Sequence, residues 1–257
     1  MRSMKGVRLL LLLVLCGHFV FAQSSNVKGI IYNHELSGGA LLHTSGWGIF
    51  MDVAHRDELK KKTLWEFELS QIHYPKEVKQ TIDFGLAFFG FNSPKPFVYG
   101  KQNNFYQLNA SFGKQFMIAE KAQKSGVELG VKLLGGFSLG LLKPYYLNVL
   151  YPTDNPENYE IRAIRYTPET AAKFLDWFSI YGGAGFIYGI DELKFIPGIH
   201  LKGGLNFDWA QNEDALKALE VGVTLDAYYK EVPIMIIKKN AQFYPNLYLS
   251  LQFGKKW

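Results

Sequence analysis

The stretch TLWEFELSQI, Thr63–Ile72, decides the fold class because its side chains alternate in polarity. Apolar and polar positions take turns through it, with Trp65, Phe67 and Leu69 on one side and Glu66, Glu68 and Ser70 on the other. Successive side chains of a β-strand point to opposite faces. The pattern therefore predicts a strand that separates an apolar environment from a polar one.

Seven further segments are predicted strands by the same criterion. They are Gly38–Ala54, Phe105–Ile118, Val127–Leu141, Ser179–Gly189, Ile199–Trp209, Val221–Tyr228 and Leu247–Phe253. The connections include two long ones, residues 74–103 and 143–178, and bacterial barrels alternate short periplasmic turns with long outer loops. Eight strands in this order would leave the N-terminus outside the cell. Extra strands at Val27–Tyr32 and Val232–Ile237 would correct this, although Pro233 argues against the second as a central strand.

The first residues have the pattern of a cleavable export signal. Arg2, Lys5 and Arg8 precede the apolar run Leu9–Leu15, and small residues stand at positions −3 and −1 before a cleavage point after Ala22. We expect residues 1–22 to be removed and residues 23–257 to form the barrel. The only cysteine, Cys16, lies inside this leader, and the large Leu15 before it argues against a lipoprotein cleavage there.

The composition of residues 23–257 excludes several classes of protein. Without the leader, 25 basic residues face 23 acidic ones, and the basic residues are spread among acids rather than gathered in a stripe. This distribution argues against nucleic-acid binding. The expected mature chain has no cysteine for disulfides or thiolate metal sites. It also has no apolar stretch near the ~20 residues of a membrane helix, so export and strands together predict an antiparallel transmembrane β-barrel of about eight to ten strands.

Several segments carry a resemblance to a known group of proteins. They are HTSGWGI at His43–Ile49, YGKQNNFYQLN at Tyr99–Asn109, LLKPYYL at Leu141–Leu147 and the closing LYLSLQFGKKW. With these segments the chain resembles the small outer-membrane β-barrel proteins of Bacteroidota-type Gram-negative bacteria, which implies the cell outer membrane but no particular activity. Phe253 and Trp257 on the lipid-facing parity resemble the signal read by the barrel-assembly machinery, from which Lys255 departs.

The longest predicted loop has two features of its own. Thr167, Pro168 and Glu169 resemble the start of a helix, so we expect a helix over Thr167–Trp177. The stretch KPYYLNVLYPTDNPENY is dense in Pro, Asn and Tyr. Such a stretch fits an outer loop that meets partners, and it fits an ordinary exposed loop equally well.

The polar face of the predicted barrel contains the residues that could perform chemistry. The inward set is Glu66, Glu68, Lys132, His200, Lys202, Asp208 and Asp226. It describes either a charged pore or, as we favour, an interior closed by ion pairs in which the four acids of the set pair with its two lysines and its histidine. A barrel of about eight strands has room only for side chains. A Ser–His–acid set can be imagined from His43, Ser45 and Asp52, but no sequence signature supports it.

The histidines at positions 34, 43, 55, 73 and 200 form no recognised metal motif. We therefore expect no catalytic, metal or cofactor site and no enzymatic activity. The expected role is structural or accessory, in envelope assembly, secretion or surface interaction, with a narrow diffusion channel and a lipid-modifying enzyme as the alternatives. The expected partners are outer-membrane lipid, the barrel-assembly machinery during insertion, and an envelope protein.

Overall fold

The computed structural model describes residues 32–81, 94–121, 126–153, 159–212 and 214–257. The predicted leader, residues 1–22, and residues 27–31 of the predicted strand Val27–Tyr32 lie outside these ranges. Tyr32–Trp257 forms one compact unit. Within the described ranges, no helix has the length and apolar character needed to cross a membrane.

Eight long strands close into one antiparallel barrel, as predicted. They are β1 (His34–His43), β2 (Gly46–Glu58), β3 (Lys61–Ile72), β6 (Asn103–Ala119), β7 (Glu128–Pro144), β11 (Lys194–Asp208), β12 (Ala215–Val232) and β13 (Ala241–Lys256). Their order around the barrel is β1-β13-β12-β11-β7-β6-β3-β2. The barrel closes where β1 pairs with β13, for example Gly38 with Phe253. No exposed sheet edge therefore remains in the barrel.

The structure corrects three of the predicted strands. The segment Gly38–Ala54 is a hairpin, because β1 and β2 turn back at Thr44 and Ser45. Ser179–Gly189 contains only the short β10 (Ile180–Gly183), outside the barrel, followed by turns. Val232–Ile237 is not a strand, because β12 ends at Val232 and Pro233 opens a loop.

The hairpin also corrects the predicted topology. Because it adds one strand crossing at the start of the chain, β1 runs toward the end of the barrel that has the long loops. At the opposite end, the amide of His34 donates to the carbonyl of Trp257 at 3.0 Å, and the amide of Trp257 donates to the carbonyl of His34 at 2.9 Å. The start of β1 and the end of β13 therefore lie together at the end of the barrel that has the short turns. The two extra strands suggested by the sequence are not needed.

The two faces of the barrel wall differ as the alternation predicted. Six apolar residues on the alternating apolar face of three predicted strands are 40 to 54 % exposed: Trp65, Phe67, Val223, Leu225, Leu249 and Leu251. The seven predicted inward residues are at most 5 % exposed. Large aromatic side chains mark both rims on the outer face. They are Trp47, Phe195, Tyr229 and Phe243 at the long-loop end, and Trp209 and Trp257 at the short-turn end.

An apolar cluster, here called the plug, fills the mouth of the barrel at the long-loop end. Barrel strands contribute Ile72, Phe105, Leu142, Ile196, Tyr228 and Tyr244, and the loops contribute Val98, Ile234 and Met235. The loop that follows β12 is held against the barrel by a hydrogen bond, in which Asn103 Nδ2 donates to the carbonyl of Pro233 at 2.6 Å. Beside the plug, Lys101 Nζ donates to Glu77 Oε2 at 2.8 Å. Burial lowers the pKa of Lys101, and the charge of Glu77 opposes this effect.

The long loops form a second folded layer, here called the cap. It consists of a three-stranded sheet of β8 (Tyr146–Pro152), β9 (Tyr159–Arg165) and β10, and the two-stranded pair β4 (Lys79–Gln80) and β5 (Phe97–Val98). Its own core contains Phe97, Leu147, Val149, Phe174 and Ile180. The predicted helix Thr167–Trp177 is shorter: α1 covers Ala171–Phe174, and a 3₁₀ turn covers Trp177–Ser179. The N-cap is Thr170, since Thr167 and Thr170 bond each other in a turn before the helix.

Candidate functional site

The centre of the lumen is organised around Lys132 of β7. Its Nζ donates to Asp52 Oδ2 at 2.7 Å and to Glu66 Oε2 at 2.6 Å, and it lies 3.5 Å from Glu220 Oε2. All four side chains are buried. One ammonium group therefore ties together β2, β3, β7 and β12 across the inside of the barrel.

Lys202 of β11 forms a second centre beside the first. Its Nζ donates to Glu66 Oε1 at 2.7 Å and to Glu68 Oε2 at 3.3 Å. Glu66 is thus shared by two lysines, one on each carboxylate oxygen. Since Glu66 and Glu68 are two apart in β3, the period-2 strand geometry places both carboxylates on the lumen face.

The third interaction joins neighbouring strands. His200 Nδ1 lies 2.6 Å from Asp226 Oδ1, and the two residues pair directly between β11 and β12. Asp226 is the hydrogen-bond acceptor in this pair, which places a proton on Nδ1. His200 Nε2 is buried and has no hydrogen-bond partner among the described residues.

Neutral groups complete the central network. Tyr248 OH donates to Glu220 Oε1 at 2.6 Å, and Gln252 Nε2 donates to Asp52 Oδ2 at 2.8 Å. Asn206 Nδ2 donates to Glu220 Oε2 at 3.0 Å. The carboxylates of the centre therefore bond to neutral donors as well as to ammonium groups, as buried charges require.

The predicted pairing of Asp208 is wrong. Asp208 lies at the short-turn end of the lumen, where Lys256 Nζ donates to its Oδ2 at 2.9 Å and Lys121 Nζ lies 3.1 Å from its Oδ1. A separate cluster at this end joins Glu35 to Lys62 at 2.7 Å. The lumen is consequently built in two layers rather than as one set of pairs.

Sequence reasoning missed several residues of the network. Glu220 and Lys256 lie beyond the predicted strand bounds, because β12 begins at Ala215 and β13 continues to Lys256. Asp52 points into the lumen, and its neighbours Met51 and Val53 are exposed on the outer wall. The alternation of these two apolar residues could have predicted from the sequence that Asp52 faces inward.

The imagined Ser–His–acid set is not assembled. His43 ends β1 and Ser45 lies in the next turn, whereas Asp52 lies six residues along β2 and bonds to Lys132 and Gln252. Strand residues rise about 3.3 Å each, which separates the turn from Asp52 by about 20 Å. The arrangement in the lumen is thus one of packed ion pairs beneath an apolar plug.

No protein-family model matches this sequence, and no curated protein matches it. Solved structures with which it shares similarity include Ail, the attachment invasion locus protein of Yersinia pestis, at 9 % identity and a TM-score of 0.40, covering 88 % of this chain and 100 % of Ail. Neisserial surface protein A matches at 9 % identity and 0.38, covering 88 % and 96 %. The N-terminal β-barrel domain of Pseudomonas aeruginosa OprF matches at 7 % identity and 0.34, covering 88 % and 98 %. These neighbours are small outer-membrane β-barrel proteins, while the all-β, antiparallel barrel fold of this chain follows from its own strand pairing.

Proposed function

We propose that this chain is an outer-membrane barrel with a structural or accessory role, which presents its folded cap at the cell surface and does not conduct. The single observation that carries the proposal is the plug above the ion-pair network. Apolar side chains from six barrel strands and from two loops pack together at the mouth. Beneath them, the charged side chains occupy the space that a water-filled pore would need.

The outer-membrane location is supported by the wall and by the leader. An apolar outer face with aromatic rims matches the surface that transmembrane barrels present to lipid. A closed barrel pairs its backbone groups internally, as a hydrocarbon environment demands. The export signal expected in residues 1–22 would bring the chain to this compartment, and the barrel-assembly machinery would insert it.

The accessory role rests on the cap. Its core is separate from the plug, and its sheet is built from residues 146–183, outside the barrel sheet. A folded layer of this kind offers a fixed surface to an envelope or extracellular protein, which would not be required of a simple lipid-embedded anchor. Absence of enzymatic activity and membership of the Bacteroidota-type barrels belong to the same proposal.

Conductance tests the closed lumen. The purified, unmodified barrel in a planar lipid bilayer should show no steady current at any salt concentration. Stable current proportional to salt would favour the diffusion channel instead, and in that case Lys132→Ala would change ion selectivity.

Co-purification from native membranes tests the accessory role, by comparing the intact protein with a variant whose residues 148–190 are replaced by a short Gly-Ser turn. A partner retained by both forms would show that the cap is not the binding surface. The control is Leu59→Ser, in a turn at the opposite end of the barrel, which should retain the partner.

A further inference from the structure

The central layer of the lumen contains more carboxyl groups than cationic groups. Its buried ionisable groups are the carboxylates of Asp52, Glu66, Glu68, Glu220 and Asp226, the ammonium groups of Lys132 and Lys202, and the imidazole of His200. Even a protonated His200 leaves two carboxylates of this described set without a matching cation. Buried charge without compensation is costly, so a surplus carboxyl group of this layer either keeps its proton or binds a cation.

His200 supplies an oriented ligand atom in the same layer. When Nδ1 donates to Asp226 Oδ1, the imidazole is held in place and its neutral form has a lone pair on Nε2. This Nε2 is buried and unpartnered within the described part of the chain. A carboxylate that orients a histidine through its other nitrogen is the usual outer arrangement of a metal-bound histidine.

Two carboxylates lie within reach of this histidine. One ligand atom each from Glu66, Glu68 and His200 forms a group in which all atoms lie within 4.8 Å of one another. Zinc binds nitrogen and oxygen ligands at about 2.0–2.2 Å in tetrahedral geometry, so the ligand atoms of one site lie about 3.4 Å apart. Side-chain rotations that bring the three ligand atoms closer together would therefore complete the site.

Glu68 is the most loosely held of these ligands. Among the described residues, its oxygens accept hydrogen bonds only at 3.3 Å from Lys202 and 3.4 Å from Asn109, which are long. A carboxylate offers about four lone-pair positions. Glu68 and Glu66 can thus bind an ion while Lys202 remains beside them.

We propose that the lumen binds one divalent transition-metal ion of the zinc class through His200 Nε2 and the carboxylates of Glu66 and Glu68. An imidazole in the ligand set favours zinc-like ions over magnesium and calcium, which prefer oxygen ligands alone. The ion would join β3 to β11 across the lumen and neutralise the excess carboxylates. Asp226 is a positioning residue for His200.

Metal content after refolding tests this site directly. The unmodified chain is refolded into detergent micelles with Zn²⁺, with Mg²⁺ or with EDTA, then desalted and analysed by mass spectrometry for bound metal. We expect a single equivalent of zinc, no retained magnesium, and a higher midpoint of heat-modifiable gel migration with zinc than with EDTA. Loss of all zinc on desalting, or identical midpoints, would overturn the proposal.

Variants locate the ion. Glu68→Gln and His200→Gln should lose the bound equivalent, and Asp226→Asn should weaken zinc affinity by about 10- to 100-fold. His55→Gln, at an exposed histidine of β2 near the short turns, is the matched control and should retain zinc. Zinc retained by Glu68→Gln and His200→Gln would place the binding elsewhere and refute the site. If these variants fail to fold, the unmodified barrel is loaded with Co²⁺ and its visible absorption is recorded. An absent spectrum would contradict the binding of an ion by nitrogen and oxygen ligands.

Discussion

At the scale of single residues, the energetics of this barrel are concentrated in shared ion pairs. Glu66 binds both Lys132 and Lys202, so removal of one partner leaves a charge in surroundings that cannot solvate it. Buried pairs are strongly sensitive to such single losses, even where replacement of the whole pair would be neutral. Surface pairs of the same type contribute little.

Lys132→Met tests this contrast. We expect a loss of about 3–5 kcal/mol in unfolding free energy, because Asp52 and Glu66 would both lose their shortest cationic contact. The measurement is urea unfolding in lipid vesicles, with the folded fraction read from the heat-modifiable migration of the barrel on gels. The control Lys60→Met removes an exposed pair with Glu120 at 3.7 Å and should cost less than about 1 kcal/mol. Equal losses for the two variants would show that the lumen is hydrated rather than packed.

At the scale of elements, each strand is defined by its two faces. Val223 lies at the middle of β12 and is 54 % exposed on the outer wall, whereas Thr224 is inward and buried. The outer face lies against hydrocarbon at mid-strand and against the interface at the rims. The cost of a charge on this face should therefore depend on its position along the strand.

Val223→Arg should reduce unfolding free energy by about 2–4 kcal/mol, because it places a charge near the bilayer midplane. Tyr229→Arg, on the same face near the end of β12, should cost only about 0–1 kcal/mol. Both are measured by unfolding in vesicles. A cost independent of position would contradict the assignment of this face to lipid.

The pairing of β11 with β12 depends on Gly222. A Cβ at this position would lie 2.1 Å from the carbonyl oxygen of Gly203 and 2.6 Å from Gly204 Cα. Gly222→Ala should therefore destabilise the barrel by about 1–3 kcal/mol through backbone displacement. Gly135→Ala is the control, since its Cβ would make an ordinary 3.4 Å contact with Leu201. Similar stability of the two variants, compared by gel migration on heating, would argue against so close an approach of the strands.

At the scale of the whole molecule, the hairpin of β1 and β2 determines the orientation. It places the cap at one end of the barrel. The short turns, the start of β1 and the end of β13 lie at the other end. Bacterial barrels direct their longer loops outward. The cap should consequently face the cell exterior.

Cysteine labelling on intact cells tests this orientation. The sequence has a single cysteine, Cys16, in the predicted leader, so introduced cysteines report alone after cleavage. Glu169→Cys, exposed in the cap, should react with a membrane-impermeant maleimide on whole cells. Leu59→Cys, 67 % exposed in the turn between β2 and β3, should react only after lysis. The reverse labelling pattern would invert the topology.

The fold class and the orientation of most side chains could be predicted from the amino-acid sequence alone. Alternation with a period of two is a local property, so Trp65 and Glu66 could be assigned to opposite faces without knowledge of any neighbouring strand. The eight strands of the barrel lie within the predicted range of eight to ten, but the eight segments proposed as strands matched this number only through two errors that cancelled. Gly38–Ala54 was two strands rather than one, and Ser179–Gly189 contributed none to the barrel. The switch of apolar positions from even numbers up to Leu42 to odd numbers from Trp47 marks the missed turn.

The contacts among the inward groups depend on the tertiary structure and could not be predicted from local patterns. Lys132 and Asp52 are 80 residues apart, and their contact depends on strand order and register around the closed barrel. Parity indicates the face of a residue but neither its height in the lumen nor its neighbour across it. For this reason Asp208 was assigned to the wrong partners, whereas its true partners Lys256 and Lys121 lie at the same end of the barrel. The plug and the cap likewise depend on loops packing over the mouth, which no local pattern specifies.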